Sequence, residues 1–96
     1  MSKKPGSQPT RIDYQPDQVV CRNGLIVGVV YASNLKDRYT NAIMKGWNIK
    51  VWRESTLVAG FATERGSAFE YDRATAIKTA QRLVATEVAA TQGVRP

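Results

Sequence analysis

Trp47-Asn48-Ile49-Lys50-Val51-Trp52-Arg53 is the stretch on which the reading of this chain turns. Apolar and polar residues alternate along it, so Trp47, Ile49 and Val51 point one way and Asn48, Lys50 and Trp52 the other. The run Thr56-Leu57-Val58-Ala59-Gly60-Phe61-Ala62 follows after Glu54-Ser55. It reads as a second strand, with Leu57, Ala59 and Phe61 pairing with the first apolar set and Glu54-Ser55 as the hairpin turn. One face of this hairpin is then core. The other displays Asn48, Lys50 and Trp52, with Arg53 at the turn.

Outward from that hairpin, the C-terminal segment is helical in period. Ile77, Ala80, Leu83, Val84 and Val88 make an apolar stripe wide enough for one sheet face, and alanines around it raise helix propensity. Two starts compete. Ser67 with Glu70 has the spacing of a capping box, whereas Asp72 is the cap if Ala68 to Tyr71 is strand following a turn around Arg65-Gly66. Gly93 is the expected stop.

On the N-terminal side, Asn23-Gly24 between Val19–Arg22 and Leu25–Tyr31 is a type I′ hairpin signal, because both central residues of that turn need positive φ. The second strand is apolar on both faces: Leu25, Val27, Val29 and Tyr31 on one, Ile26, Val30 and Ala32 on the other. That pattern fits a central strand, or one whose outer face is covered by a helix or a second subunit, so a homodimer is one expectation. Gly28 marks a bulge or a point of close packing. Residues 34–38 are expected as a short helix or irregular turn, with 39–45 open between helix and strand. Residues 1–17, with their prolines and lack of apolar period, are expected as a flexible arm along which Ile12 and Tyr14 can dock as an edge segment. The expectation is therefore one α+β domain over residues 18–93: an antiparallel sheet of four to five strands with one long C-terminal helix packed on one face.

Composition bounds the function. With no histidine, the commonest general base is missing, and one cysteine without histidine cannot close a zinc sphere. No glycine-rich phosphate loop precedes a helix, and the carboxylates are scattered. No catalytic residues, metal ligands or cofactor are expected, and the chain reads as a non-enzyme. The lone Cys21 reads as a buried thiol in a reducing, cytoplasmic setting, and no apolar run approaches the ~18 residues of a membrane span.

Fourteen Lys and Arg face eight Asp and Glu, for a net charge of +6. Three of those basic and two of the acidic residues lie in residues 1–17, so the excess sits on the body. A basic body favours polyanionic partners. Trp52 flanked by Lys50 and Arg53 can stack on a base while the cations meet phosphates. Asn48, Lys50, Trp52 and Arg53, widened by Arg22 and Arg65, are thus the candidate nucleic-acid-binding residues. The rival is a small protein-binding module, such as a phage- or plasmid-type inhibitor, acting on an acidic surface of a host complex.

Three motifs carry a resemblance: Trp47-x-Ile49-x-Val51, Gly60-Phe61-Ala62-Thr63 and Tyr71-Asp72-Arg73-Ala74. Over residues 47–77 the chain resembles the AP2/integrase-type DNA-binding module. That family lays a three-stranded sheet in the major groove, with a helix behind it. The resemblance implies that Lys50, Trp52 and Arg53 face a groove. The Asn23-Gly24 hairpin has no counterpart in such modules, and Tyr39–Met44 lacks the arginines of their first strand.

Overall fold

The structure, a computed structural model, describes residues 9–91. Its elements are β1 (Thr10–Arg11), β2 (Val19–Asn23), β3 (Ile26–Lys36), β4 (Ile43–Glu54), β5 (Phe61–Glu70) and α1 (Arg73–Thr91). The strands form one antiparallel sheet in the order β1-β5-β4-β3-β2, and α1 packs on one face. The fold is α+β.

The expected β2–β3 hairpin forms, but its turn residues are Gly24-Leu25 and not Asn23-Gly24. Asn23 pairs with Ile26 as the last residue of β2, and Gly24 alone takes positive φ, at 63°, so the turn is not the type I′ expected. Gly28 pairs in unbroken register with Cys21 and Val51. It is a close-packing point and not a bulge: a Cβ there would meet Val84 Cγ2 at 2.8 Å. Ala76 and Ala80 are fully buried against Val30 and Ile49, while Val84 closes a second patch with Ile26 and Val51. Small residues on the helix and a glycine on the strand let the two backbones approach closely. Of the expected helical stripe, Ala80 and Val84 lie at its centre, and Ile77, Leu83 and Val88 pack half-buried at its margins.

The other face of the sheet is covered as well. β1 lies at the edge beyond β5 and β2 forms the opposite edge, so residues 12–18 cross the face away from α1. Val27 (0 % exposed) and Val29 are buried on this side, and Val29 lies in a groove walled by Ile12, Tyr14 and Gln18. Val27 and Val29 on one face of β3 and Ile26 and Val30 on the other are thus buried within one chain, while Leu25 and Leu35 stay exposed. Of the arm expected over 1–17, residues 1–8 lie outside the described residues. Thr10 and Arg11 pair with Ala62 and Phe61, and Tyr14 bonds to Glu54. Gly93 also lies outside the described residues.

Three local expectations are corrected. Residues 34–38 are not helical: β3 runs on to Lys36 and pairs with β4 as far as Lys36↔Ile43. Leu35, Tyr39 and Ile43, which lie at helical spacing, are exposed on this ribbon. The partner of β4 is Phe61–Glu70 and not residues 56–62, with Trp47 opposite Glu70 and Glu54 opposite Ala62. Leu57 (91 % exposed) and Ala59 sit in the loop after Glu54, which Ser55 ties by accepting from Leu57 N and Val58 N. Arg65-Gly66 is a bulge inside β5, where the register slips between Val51 and Trp52. Ser67 and Glu70 therefore lie in a strand, and the helix is capped by Asp72, whose Oδ2 accepts from Thr75 N at 2.9 Å.

Candidate nucleic-acid interface

The register decides where the six candidate residues point. Gly28 meets the helix, so its β4 partner Val51 does too, and Trp52, Lys50 and Asn48 face away from α1. Arg22, opposite Val27, shares that face. Arg53 does not: it pairs with helix-facing Ile26 inside the strand and borders a hollow with Val88 and Thr91 of α1. Arg65 also reaches toward the helix, because the bulge turns it there. Lys50, Trp52 and Arg53, which the AP2/integrase-type resemblance would place in one groove, therefore lie on two faces.

The four residues that share a face are engaged by the protein itself. Arg22 donates to both oxygens of Glu54, at 2.6 and 3.0 Å, and Tyr14 adds a third bond to that carboxylate at 2.7 Å. Glu54 is held below the usual carboxylate range, chiefly by the bonds from Arg22. Burial, then the bond to Glu54, pushes Tyr14 up to about 12. Lys50 Nζ lies 3.4 Å from Glu64 Oε2, and Asn48 donates to Ser33 Oγ at 2.8 Å. Trp52 is half-buried in a groove of about 300 Å³ with Arg11, Ile12, Asp13, Tyr14, Gln18 and Lys50 among its walls. On the helix side, Arg65 Nε bonds to Glu87 Oε2 at 2.8 Å. Three of the candidate cations are thus matched one to one by carboxylates.

A different group of cations has no carboxylate partner among the described residues: Lys36, Arg38 and Lys45 on the β3–β4 hairpin and Arg73 at the start of α1. β2 pairs with β3 only as far as Val30, and β5 pairs with β4 only as far as Trp47. The pairs from Ser33↔Gly46 to Lys36↔Ile43 therefore form a two-stranded ribbon beyond the sheet. Its turn is held by Asp37, whose Oδ1 accepts from Tyr39 N and Thr40 N, while Asp37 N bonds to Ala42 O at 2.9 Å. Asn41 takes φ 62°, a conformation asparagine tolerates. Tyr39 is 89 % exposed at the tip. Arg73 lies 5.8 Å from the centroid of Trp47, at the root of the ribbon. Reading residues 34–46 as partly helical hid this arm. Asn34 and Lys36 alternate with Leu35, but Ile43 and Met44 are both apolar, so period two is too short here to reveal the arm.

Among the described residues no cluster of His, Cys, Asp and Glu could hold a metal ion, and no helix is long and apolar enough to cross a membrane. No protein-family model, curated protein or solved structure matches this chain.

Proposed function

We propose that the protein is a non-enzymatic nucleic-acid-binding protein that grips phosphates with the projecting β3–β4 ribbon, and not with the Trp52 face. The observation that supports this reading is the sorting of the cations. Arg22, Lys50 and Arg65 are matched by Glu54, Glu64 and Glu87, whereas Lys36, Arg38, Lys45 and Arg73, gathered at one end of the molecule, have no salt bridge among the described residues. Arg11, Arg53, Lys78 and Arg82 have none either but do not share the ribbon. Exposed cations without local partners give up least when they meet a phosphate, since no internal ion pair is broken. Asp37, the one acidic residue of the hairpin, is occupied by backbone N–H groups of the turn.

Anisotropy of labelled DNA and RNA across a salt series tests the reading. With about four phosphates contacted, log Kd against log salt should have a slope of magnitude roughly 3 to 4 on duplex DNA. Changing Lys36, Arg38 and Lys45 together to Ala should lower that slope by about 2 to 3, while Lys50→Ala leaves it in place. Absence of binding at low salt overturns the proposal.

One observation favours a second reading, a protein-binding module: Leu57 and Val58 stand exposed side by side on the β4–β5 loop. A partner retained from nuclease-treated lysate by the wild type, but lost with Leu57→Ser, would support it.

A further inference from the structure

The ribbon carries more than charge, and resting on the nucleic-acid reading we propose that its ligand is B-form duplex DNA, entered through the major groove by the ribbon face bearing Asn34, Lys36, Ile43 and Lys45. The packing leaves this face the more open, with Asn34, Lys36, Ile43 and Lys45 all exposed. On the opposite face Gly46 lies against Phe69, where even a Cβ would fall 2.2 Å from Phe69 Cζ. Phe69 stacks edge-on with Tyr71 at 5.2 Å, and the Tyr71 hydroxyl lies 3.8 Å from Met44 Sδ. That side of the arm is thus propped by the protein's own aromatic residues. The register places Asn34 opposite Lys45 and Lys36 opposite Ile43 on the other side, the side of Trp47 and Arg73.

The dimensions and residue types select the groove. The four pairs from Ser33↔Gly46 to Lys36↔Ile43 extend the arm by about 13 Å at roughly 3.3 Å per residue, enough for this face, laid along the major groove, to cover about four base pairs at ~3.4 Å each. Two strands spaced about 4.8 Å apart with their side chains fill a groove ~12 Å wide and are too broad for a minor groove of ~6 Å. The A-form RNA major groove is too narrow and deep to admit them. At these base edges Asn34 can hydrogen-bond adenine and an apolar group such as Ile43, 63 % exposed, can pack on the thymine methyl, while Lys36 and Lys45 meet the phosphates along the groove. Arg38 at the tip and Arg73 at the root are then placed for the flanking phosphates. The turn bonds of Asp37 hold the arm in shape before binding, which limits the ordering cost.

The test compares one sequence as duplex DNA, as duplex RNA and as single-stranded DNA at a fixed salt concentration, with methyl green and netropsin as major- and minor-groove competitors. Duplex DNA is expected to bind at least about tenfold tighter than duplex RNA, and methyl green alone should displace the protein. Asn34→Ala should weaken duplex binding severalfold and leave the salt slope unchanged, because it removes a base contact and no phosphate contact. Equal affinity for duplex DNA and RNA, a preference for single strands, or displacement by netropsin would overturn the groove assignment while leaving the nucleic-acid reading intact. Failure to bind any of the three would overturn both. Thermal melts of each variant, expected to match the wild type since these side chains are exposed, show that a loss is not unfolding.

Discussion

The Tyr14 hydroxyl donates to Glu54 Oε2 over 2.7 Å, joining the segment that crosses the sheet to the last residue of β4. Glu54 also takes two bonds from Arg22 of edge strand β2, so one carboxylate ties the crossing segment to two strands.

This linkage makes the crossing segment pH-sensitive at both ends of the scale. Tyr14, ordinarily near 10, is raised to about 12. A raised value means the folded state favours the neutral phenol, so its contribution is whole below pH 10 and fades as pH rises from 10 toward 12. Glu54 is lowered, so its contribution is whole above the usual carboxylate range and fades as pH falls below it. Absorbance titration at alkaline pH should show one tyrosine ionising late, and Tyr14→Phe should remove it. The same variant should lose about 1 kcal/mol at neutral pH in urea melts, since the bond is partly solvated. Glu54→Gln should return the late tyrosine toward 10. A Tyr14→Phe titration unchanged from the wild type would contradict the assignment.

The helix start separates two serviceable caps. Asp72→Ala should lower the melting temperature and the helical circular dichroism, because Thr75 N loses its acceptor. Asp72 is held below its ordinary value, first by the backbone bond from Thr75 and then by its hydroxyl, so acidification through the lower carboxylate range should mimic the substitution in part. Ser67→Ala, in the middle of β5, should leave helix content unchanged. The opposite ranking would restore the capping box.

Two glycines of the sheet should respond in opposite ways to alanine. At Gly46 a Cβ would lie 2.2 Å from Phe69 Cζ and 2.8 Å from Glu70 O. The first atom can swing away and the second is backbone, so Gly46→Ala should cost about 1 to 3 kcal/mol in urea unfolding. At Gly66 nothing lies within 4 Å, and Gly66→Ala should be neutral, or stabilising by up to about 1 kcal/mol through the unfolded chain.

Elements whose signals are local were legible in advance: the β2–β3 hairpin, though not which two residues make its turn, the alternation from Trp47 to Trp52 and the amphipathic stripe of α1. The ribbon and β5 were not. Leu35, Tyr39 and Ile43 sit at helical spacing, and only pairing of β3 with β4 through Lys36↔Ile43 makes them strand and turn. In β5 the Arg65-Gly66 bulge breaks the alternation that would have announced a strand. Of the candidate site, the outward turn of Asn48, Lys50 and Trp52 followed from period two. The ion-pair partners did not, because Glu54, Glu64 and Glu87 lie 32, 14 and 22 residues from Arg22, Lys50 and Arg65.

By itself the sequence determined an α+β domain with a net positive charge and no equipment for histidine or zinc chemistry, because composition and short-range period depend on neighbours in the chain. The tertiary structure alone decided which of those charges remain available. That depends on which carboxylate each cation meets across the sheet, and on which face of the ribbon the Phe69–Tyr71 pair occupies.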